Sequence, residues 1–389
     1  MNKVDLFAKV LYEVIERRVS LDVAFKRACK RRCARTLEER EKLYQECRKL
    51  VSDYVKLKCV VSKRSPSYRD LARAWISGKT SNSSEPHCQL SVSKWLYERI
   101  TSLLGSSGAE TMLKAFEERT WWLRLNTLKA PEERVLKELE AEGLEFEVHS
   151  EIPYMVRVLK SPKPIRLLNP VREFRALPQD LASAVSVEFI DVRPGDVVVD
   201  MCAAPGLKTS LIVMLEESAR VIAFDISSKR LRVMRQLLKK LGVPENSVQL
   251  ALADSRFINL VRPVDKVLLD APCSNSGSID KDPSIKATLT QGKVEFHSNR
   301  QLELLLKSLE LSDCVVYTTC SILPDEGEDV IEKIVKKTSV KLVVPPRFRS
   351  FCSPGYPSYG FSNNVCRLYP HIHKSEGFFI SRLERPQAL

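Results

Sequence analysis

Apolar residues near the start of the chain recur at three- and four-residue spacing: Leu6, Phe7, Val10, Leu11, Val14 and Ile15. That period marks a helix with one buried face and predicts an amphipathic helix from Val4 to Ile15. A second run of the same period, Leu43, Tyr44, Cys47, Leu50, Val51, Tyr54 and Val55, predicts further helix. Between Ser62 and Pro86 the pattern dissolves into Ser, Pro, Gly, Thr and Asn, notably over Gly78–Ser84, which reads as a connector. Beyond Trp95, helical and strand-like pieces alternate: an apolar run at Leu96, Ile100 and Leu103, the strand-like Trp121–Asn126, and a helix near Val135–Leu139. After Gln179 the period shortens. Five short β-runs, Val197–Asp200, Val221–Asp225, Val248–Leu252, Val267–Asp270 and Val315–Tyr317, are each separated by a helical stretch. Alternation of this kind predicts an α/β fold, a parallel sheet between helices with ligands beyond the carboxyl ends of its strands. The predicted organisation is a helical domain over 1–62, a linker over 63–90, a small α+β module over 91–175 and the α/β domain over 176–389.

A chain of 389 residues, 44% hydrophobic and 29% charged, can bury two or three cores and is not compositionally disordered. The formal charge of +13 changes the picture more, because such a field attracts polyanions. Nucleic acid and anionic membrane both qualify. No apolar run reaches transmembrane length, and Lys3 and Asp5 interrupt any signal-peptide pattern, so the expectation is a soluble cytoplasmic protein, nucleolar if eukaryotic, with no membrane partner. Nothing in the pattern demands a dimer, and a monomer is expected. The densest positive patch is Lys26, Arg27, Lys30, Arg31, Arg32 and Arg35, which reads either as a solvated helix face or as a phosphate-tracking surface.

Eleven cysteines are scattered from Cys29 to Cys366 with no CxxC pair, which supports neither a zinc site nor a disulfide framework; most are expected to be buried small hydrophobes. Cys29 and Cys33 stand one helical turn apart without a second ligand pair, and no metal is expected. His371 and His373 read as structural or RNA-contacting.

Candidate chemistry gathers at the ends of the β-runs. Val197–Asp200 leads into Met201, Cys202, Ala203, Ala204, Pro205, Gly206, Leu207, Lys208 and Thr209, a turn of small residues that opens a helix. Small side chains let a ligand approach the backbone, while the helix N-terminus and Lys208 favour a negative group. A phosphate-binding P-loop would need glycine where Leu207 stands, and a dinucleotide fingerprint needs three spaced glycines where only Gly206 remains. Twenty-five residues after Asp200 the next run ends in Asp225, placed to accept both hydroxyls of a ribose. Asp254 follows the third run and could take the exocyclic amine of adenine, with Phe257 nearby for apolar contact. A single acid at a strand end is usually a helix cap, but three in register predict an adenosine site. The fourth run ends Asp270-Ala-Pro-Cys273 and the fifth leads to Thr319-Cys320, so two thiols emerge at neighbouring strand ends.

Three segments, Asp200–Thr209, Asp270–Cys273 and Thr319–Pro324, resemble the RNA 5-methylcytosine methyltransferases of the Nol1/Nop2/Sun (RsmB-like) family. Gln179–Ser183, Arg367–His371 and Gly377–Ser381 extend the resemblance over roughly Trp95–Arg382. It implies a Rossmann-like S-adenosylmethionine-dependent methyltransferase domain, preceded by a small α+β RNA-binding module that includes Trp121–Asn126. It also implies that Cys202–Lys208, Asp225, Asp254 and Asp270 hold or border S-adenosylmethionine. Cys320 is then the nucleophile that bonds carbon 6 of a cytosine, Cys273 assists product release, and Asp270 and Lys208 support the chemistry. Leu207 departs from the family pattern, which usually carries a second glycine there. The helices before Ser62 are similar in style to a NusB-like domain, which favours rRNA over tRNA as the target. A DNA cytosine methyltransferase would use Cys273 instead; an RNA-binding assembly factor would keep the fold without turnover.

Overall fold

The computed structural model describes residues 2–30, 33–61, 65–79 and 83–386. Arg31 and Arg32 of the basic patch, and 62–64 and 80–82 of the expected linker, lie outside the described residues. The chain divides into two compact units, 1–119 with 274–294, and 120–273 with 295–389.

The first unit is helical, with helices at Lys3–Ile15, Leu21–Cys29, Leu37–Ser52, Tyr54–Val60, Tyr68–Ile76 and Lys94–Ala115. Phe7, Val10, Leu11 and Val14 of the first helix are fully buried beside Leu21, Phe25, Leu50 and Leu71. Burying a side chain of that size contributes about 1.5–3 kcal/mol. The Leu37 helix starts on a reciprocal cap between Thr36 and Glu39, and the Tyr68 helix on one between Ser67 and Asp70. That second helix corrects the expected linker: Tyr68–Ile76 lies inside 63–90 and puts Leu71, Ala72 and Ala74 into the helical core. A nine-residue helix with three apolar positions is too short for its period to stand out against the Ser-rich flanks. Lys26, Arg27, Lys30 and Arg35 are exposed, as the basic-patch readings require.

The same unit takes in residues 274–294, a segment distant in sequence. Arg48 donates to the Asp280 carbonyl and, at 2.9 Å, to that of Lys281. Lys286 is 2% exposed; its ammonium donates to Ser52 Oγ at 3.2 Å and the Leu90 carbonyl at 3.4 Å. Both cations satisfy backbone or hydroxyl oxygens in place of carboxylates. Side-chain chemistry gave no sign of this association, because it joins residues some two hundred positions apart.

The second unit contains two sheets. A four-stranded antiparallel sheet, ordered β2-β3-β1-β4, is formed by β1 (Trp121–Leu125), β2 (Glu145–Val148), β3 (Met155–Lys160) and β4 (Ala176–Pro178). The larger sheet takes β5 (Val197–Asp200), β6 (Arg220–Asp225), β7 (Val248–Leu252), β8 (Lys266–Asp270), β9 (Cys314–Thr319), β10 (Lys341–Val343), β11 (Cys366–Leu368) and β12 (Phe378–Glu384). Its order is β10-β12-β9-β8-β5-β6-β7, with β11 paired to β12. Strands β5 to β9 are parallel, matching the five predicted runs, whereas β12 pairs antiparallel to β9. This is a Rossmann-like sheet, with the strand order reversing beside β5, where such folds bind ligands.

Candidate active site

All the strand ends that the sequence singled out belong to the second unit. At the end of β5 the backbone leaves the sheet at Asp200, and Met201 and Ala203 are tied by their N–H groups to the carbonyls of Leu268 and Phe224. The Ala204–Pro205 bond is cis, and Gly206 takes φ +102° to open the Leu207–Leu215 helix. A side chain at 206 would be strained by that φ and would meet Met234 Cγ at 2.9 Å, so glycine is required for the backbone here. Leu207, the departure from the family pattern, packs against the core.

Asp200 itself is 1% exposed and takes the Thr209 hydroxyl at 2.7 Å. Burial pushes its pKa up to about 7, with the Thr209 hydrogen bond opposing and Asp270 adding to the rise. Asp200 is therefore a buried group that supports the loop. Because its folded pKa exceeds the ordinary value, its contribution to stability is complete below about pH 4 and is lost as pH rises through about 7. Unfolding free energy of Asp200→Asn should thus fall less than wild type between pH 4 and 7; an identical pH dependence of the unfolding free energy in the two proteins would refute the assignment.

Asp225 is buried, receiving Ser227 N–H at 2.9 Å and Ala204 N–H at 3.3 Å, with Arg230 at 3.2 Å. Asp254 is gripped by Arg256, at 2.8 Å, whose other arm reaches Glu303 at 2.8 Å. The Arg256 hydrogen bond holds the Asp254 carboxyl below its ordinary range. Phe257 stands 72% exposed beside it, with the Arg256 guanidinium 5.0 Å from its ring centre.

The candidate reacting groups lie at the ends of β8 and β9, which are hydrogen-bonded neighbours with Asp270 opposite Thr318. Cys273 Sγ and Cys320 Sγ approach to 3.0 Å. Lys208 donates to Asp270 at 2.7 Å; burial alone would lower the Lys208 pKa, but Asp270 overcomes this and raises it, so the cation persists. Its charge also interacts with Cys320. Cys202, by contrast, is driven well above the ordinary thiol range by burial and by the Asp200, Asp270 and Asp225 carboxylates, which makes it inert.

Beneath the two thiols runs a buried polar network that sequence reasoning missed in part. Gln301, in the Gln291–Leu311 helix, donates to the Pro272 carbonyl at 3.0 Å and to Glu326 at 3.2 Å. Glu326 also accepts the Ser321 hydroxyl at 2.7 Å, and its carbonyl accepts the Tyr317 hydroxyl at 2.7 Å. One glutamine thus joins the backbone just before Cys273 to the loop just after Cys320. Arg367 and Glu328, both fully buried, form a two-pronged ion pair, and Arg367 donates onward to the Ser321 carbonyl at 3.2 Å. Gln301 follows the polar run His297–Arg300 in the same helix, so no local pattern marks it out.

Trp121–Leu125 forms β1 with Asn126 just beyond it, but Arg124 and Asn126 are fully buried and face inward. Arg124 donates to the Leu207 carbonyl at 2.9 Å and to Ser210 Oγ at 2.8 Å, and burial pushes its pKa down to about 9. Asn126 donates to the carbonyls of Phe174 and Leu241, each at 2.9 Å. Arg124 thus braces the Leu207–Leu215 helix, and Asn126 ties the end of β1 to the end of the Ser228–Leu241 helix. His373 is structural: its Nδ1 accepts Tyr369 N–H at 2.8 Å, leaving the Nε2 proton to the Phe351 carbonyl at 3.0 Å.

The cysteine reading needs correction. Cys29–Cys33, Cys59–Cys88 and Cys352–Cys366 are disulfide-paired, while Cys47, Cys202, Cys273, Cys314 and Cys320 belong to no disulfide. Spacing shows neither that Cys59 meets Cys88 nor that Cys352 meets Cys366, since tertiary packing brings each pair together.

A family model described as 16S rRNA methyltransferase RsmB/F matches residues 187–384. The chain belongs to the RsmB/F family. Residues 92–166 match the ferredoxin-like domain of RsmF/B-like methyltransferases, in agreement with the small α+β module. Among RsmB/F relatives, the 26S rRNA (cytosine-C(5))-methyltransferase nsun-1 of Caenorhabditis elegans is 35% identical over 53% of this chain, which spans only 33% of that protein. The tRNA (cytosine(49)-C(5))-methyltransferase of Pyrococcus abyssi is 32% identical over 54% of this chain and 70% of its own length. The solved structure of NSun6 from Pyrococcus horikoshii with SFG superposes at a TM-score of 0.69, with 25% identity over 76% of this chain and 99% of that one.

Proposed function

We propose that this RsmB/F-family protein methylates carbon 5 of a cytosine in RNA through a transient bond between Cys320 and carbon 6 of the base. The carrying observation is the 3.0 Å approach of two thiols at adjacent parallel strand ends, beside the Lys208–Asp270 pair. S-adenosylmethionine is the cofactor, and when bound it supplies an electrophilic methyl group. The residues fit it by the chemistry of their donors: Asp225 for the ribose hydroxyls, Asp254 and exposed Phe257 for the adenine, and the small-residue loop Cys202–Lys208 for close approach.

Carbon 5 of cytosine is a weak nucleophile. Addition of the Cys320 thiolate at carbon 6 pushes electrons into the ring and makes carbon 5 enamine-like. Lys208 stabilises the thiolate electrostatically. Asp270, ion-paired with Lys208, accepts a hydrogen bond from the exocyclic amine and so responds to charge developing on the ring. After methyl transfer a base takes the carbon-5 proton, the C–H electron pair re-forms the C5–C6 double bond, and Cys320 leaves as thiolate; in this reading Cys273 assists that release. The target base has to leave its stack to enter such a pocket, which suits loops of rRNA or tRNA. The four-stranded module offers one RNA-binding surface, and the exposed basic residues Lys26, Arg27, Lys30 and Arg35 of the helical unit offer another, each by itself.

Nucleoside mass spectrometry of rRNA and tRNA transcripts incubated with the protein and S-adenosylmethionine should reveal 5-methylcytidine. Calorimetric cofactor binding without any such product would instead identify an RNA-binding assembly factor. Cys273→Ala should accumulate a denaturant-stable protein–RNA adduct while turnover falls on the order of 10²-fold or more. Unchanged turnover with no adduct would remove Cys273 from the release step.

A further inference from the structure

Cys59, His87 and Cys88 of the helical unit bring a sulfur, an imidazole nitrogen and a second sulfur within 4.8 Å of one another. Cys59 lies in the last turn of the Tyr54–Val60 helix, and the other two lie in the short Pro86–Gln89 helix. The His87 ring is oriented at both nitrogens. Its Nε2 stands 3.5 Å from Cys88 Sγ, and its Nδ1 stands 3.3 Å from the Glu85 carboxylate. A disulfide between Cys59 and Cys88 accounts for the two sulfurs but gives no use to the imidazole aimed at them or to the carboxylate behind it. A carboxylate on one imidazole nitrogen with the other directed at thiolates is the outer-shell arrangement of zinc sites. The adjacent residues His87 and Cys88 already point to a common place, so little rearrangement of the short helix is needed.

The geometry points to a Zn(II) site formed by Cys59 Sγ, Cys88 Sγ and His87 Nε2 when the cysteine pair is reduced, with Glu85 orienting the imidazole and water in the fourth position. Reduction by a dithiol breaks the S–S bond, giving two thiols as the dithiol becomes a disulfide. Each thiol then releases its proton to solvent on ligation. Two cysteines, one histidine and one open position make a chemically ordinary tetrahedral zinc set. The site would tie the Tyr54–Val60 helix to the Pro86–Gln89 helix across the Ser-rich stretch between them. It is independent of the methylation reading, since it rests on the helical unit alone.

The full chain, reduced with a dithiol and freed of metal, should bind one more Zn(II) per chain than Cys59→Ser/Cys88→Ser, which corrects for zinc held by the other thiols. Co(II) should give a thiolate charge-transfer absorption in the wild type that disappears in the double variant. Glu85→Gln changes a largely exposed side chain and keeps the fold testable; it should weaken Zn(II) binding about tenfold, and His87→Ala by more. Equal zinc content in wild type and double variant overturns the proposal. So does unchanged affinity in His87→Ala, which would mean that the sulfurs act as a disulfide-forming pair only.

Discussion

Cys320→Ala is expected to abolish 5-methylcytidine formation, with a loss on the order of 10⁴-fold or more in kcat. Removing a covalent nucleophile has effects of that size because the remaining site can bind and orient but cannot activate carbon 5. RNA carrying 5-fluorocytosine supplies the direct test, since fluorine at carbon 5 cannot leave as a proton and the adduct cannot resolve. Wild-type protein should become covalently attached to such RNA through residue 320, and Cys320→Ala should not. The proposed choice of Cys320 over Cys273 is supported by position. Cys320 follows β9, with Lys208 interacting with it electrostatically, whereas Cys273 is 8% exposed at the end of a loop fixed through Pro272 by Gln301. Adduct formation through Cys273 with Cys320 replaced would invert the roles and give the mechanism of the DNA enzymes.

Arg367→Met should cost about 3–5 kcal/mol of stability, because it leaves the fully buried Glu328 carboxylate without its partner. Burial alone would lower the Arg367 pKa, but Glu328 more than compensates and raises it, so the pair is ionic and neither member can be removed singly without exposing a charge to the interior. Arg367 also stacks over the Tyr356 ring at 4.5 Å and donates to the Ser321 carbonyl, so its loss frees the loop that carries Cys320. Replacing both partners, as Arg367→Met with Glu328→Leu, should recover part of the stability, since two apolar side chains leave no buried charge. Methylation should stay impaired in the double variant, because the anchor on Ser321 is still absent. Denaturant unfolding measures the first effect and single-turnover adduct formation the second; a destabilisation below about 1 kcal/mol for Arg367→Met would mean that the pair is not closed as described.

Much of this protein was determined by local sequence. The five β-runs, the small-residue turn after Asp200, and the thiols after β8 and β9 were legible because each depends on a short period or motif, and a buried parallel strand must be apolar along its whole length. Other features required the tertiary structure. The helix at Tyr68–Ile76 is held by packing that its short pattern does not announce, and 274–294 joins the helical unit through the backbone carbonyls and the buried ammonium of Lys286. Gln301 bridges the two thiol-bearing loops from a helix that faces them only in the fold, and Arg124 reads as a basic strand residue until burial shows it bracing Leu207. The division has one cause. Hydrophobic period and turn chemistry are properties of neighbouring residues, whereas hydrogen-bond satisfaction in a buried interior is a property of whichever groups the packed chain brings within about 3 Å.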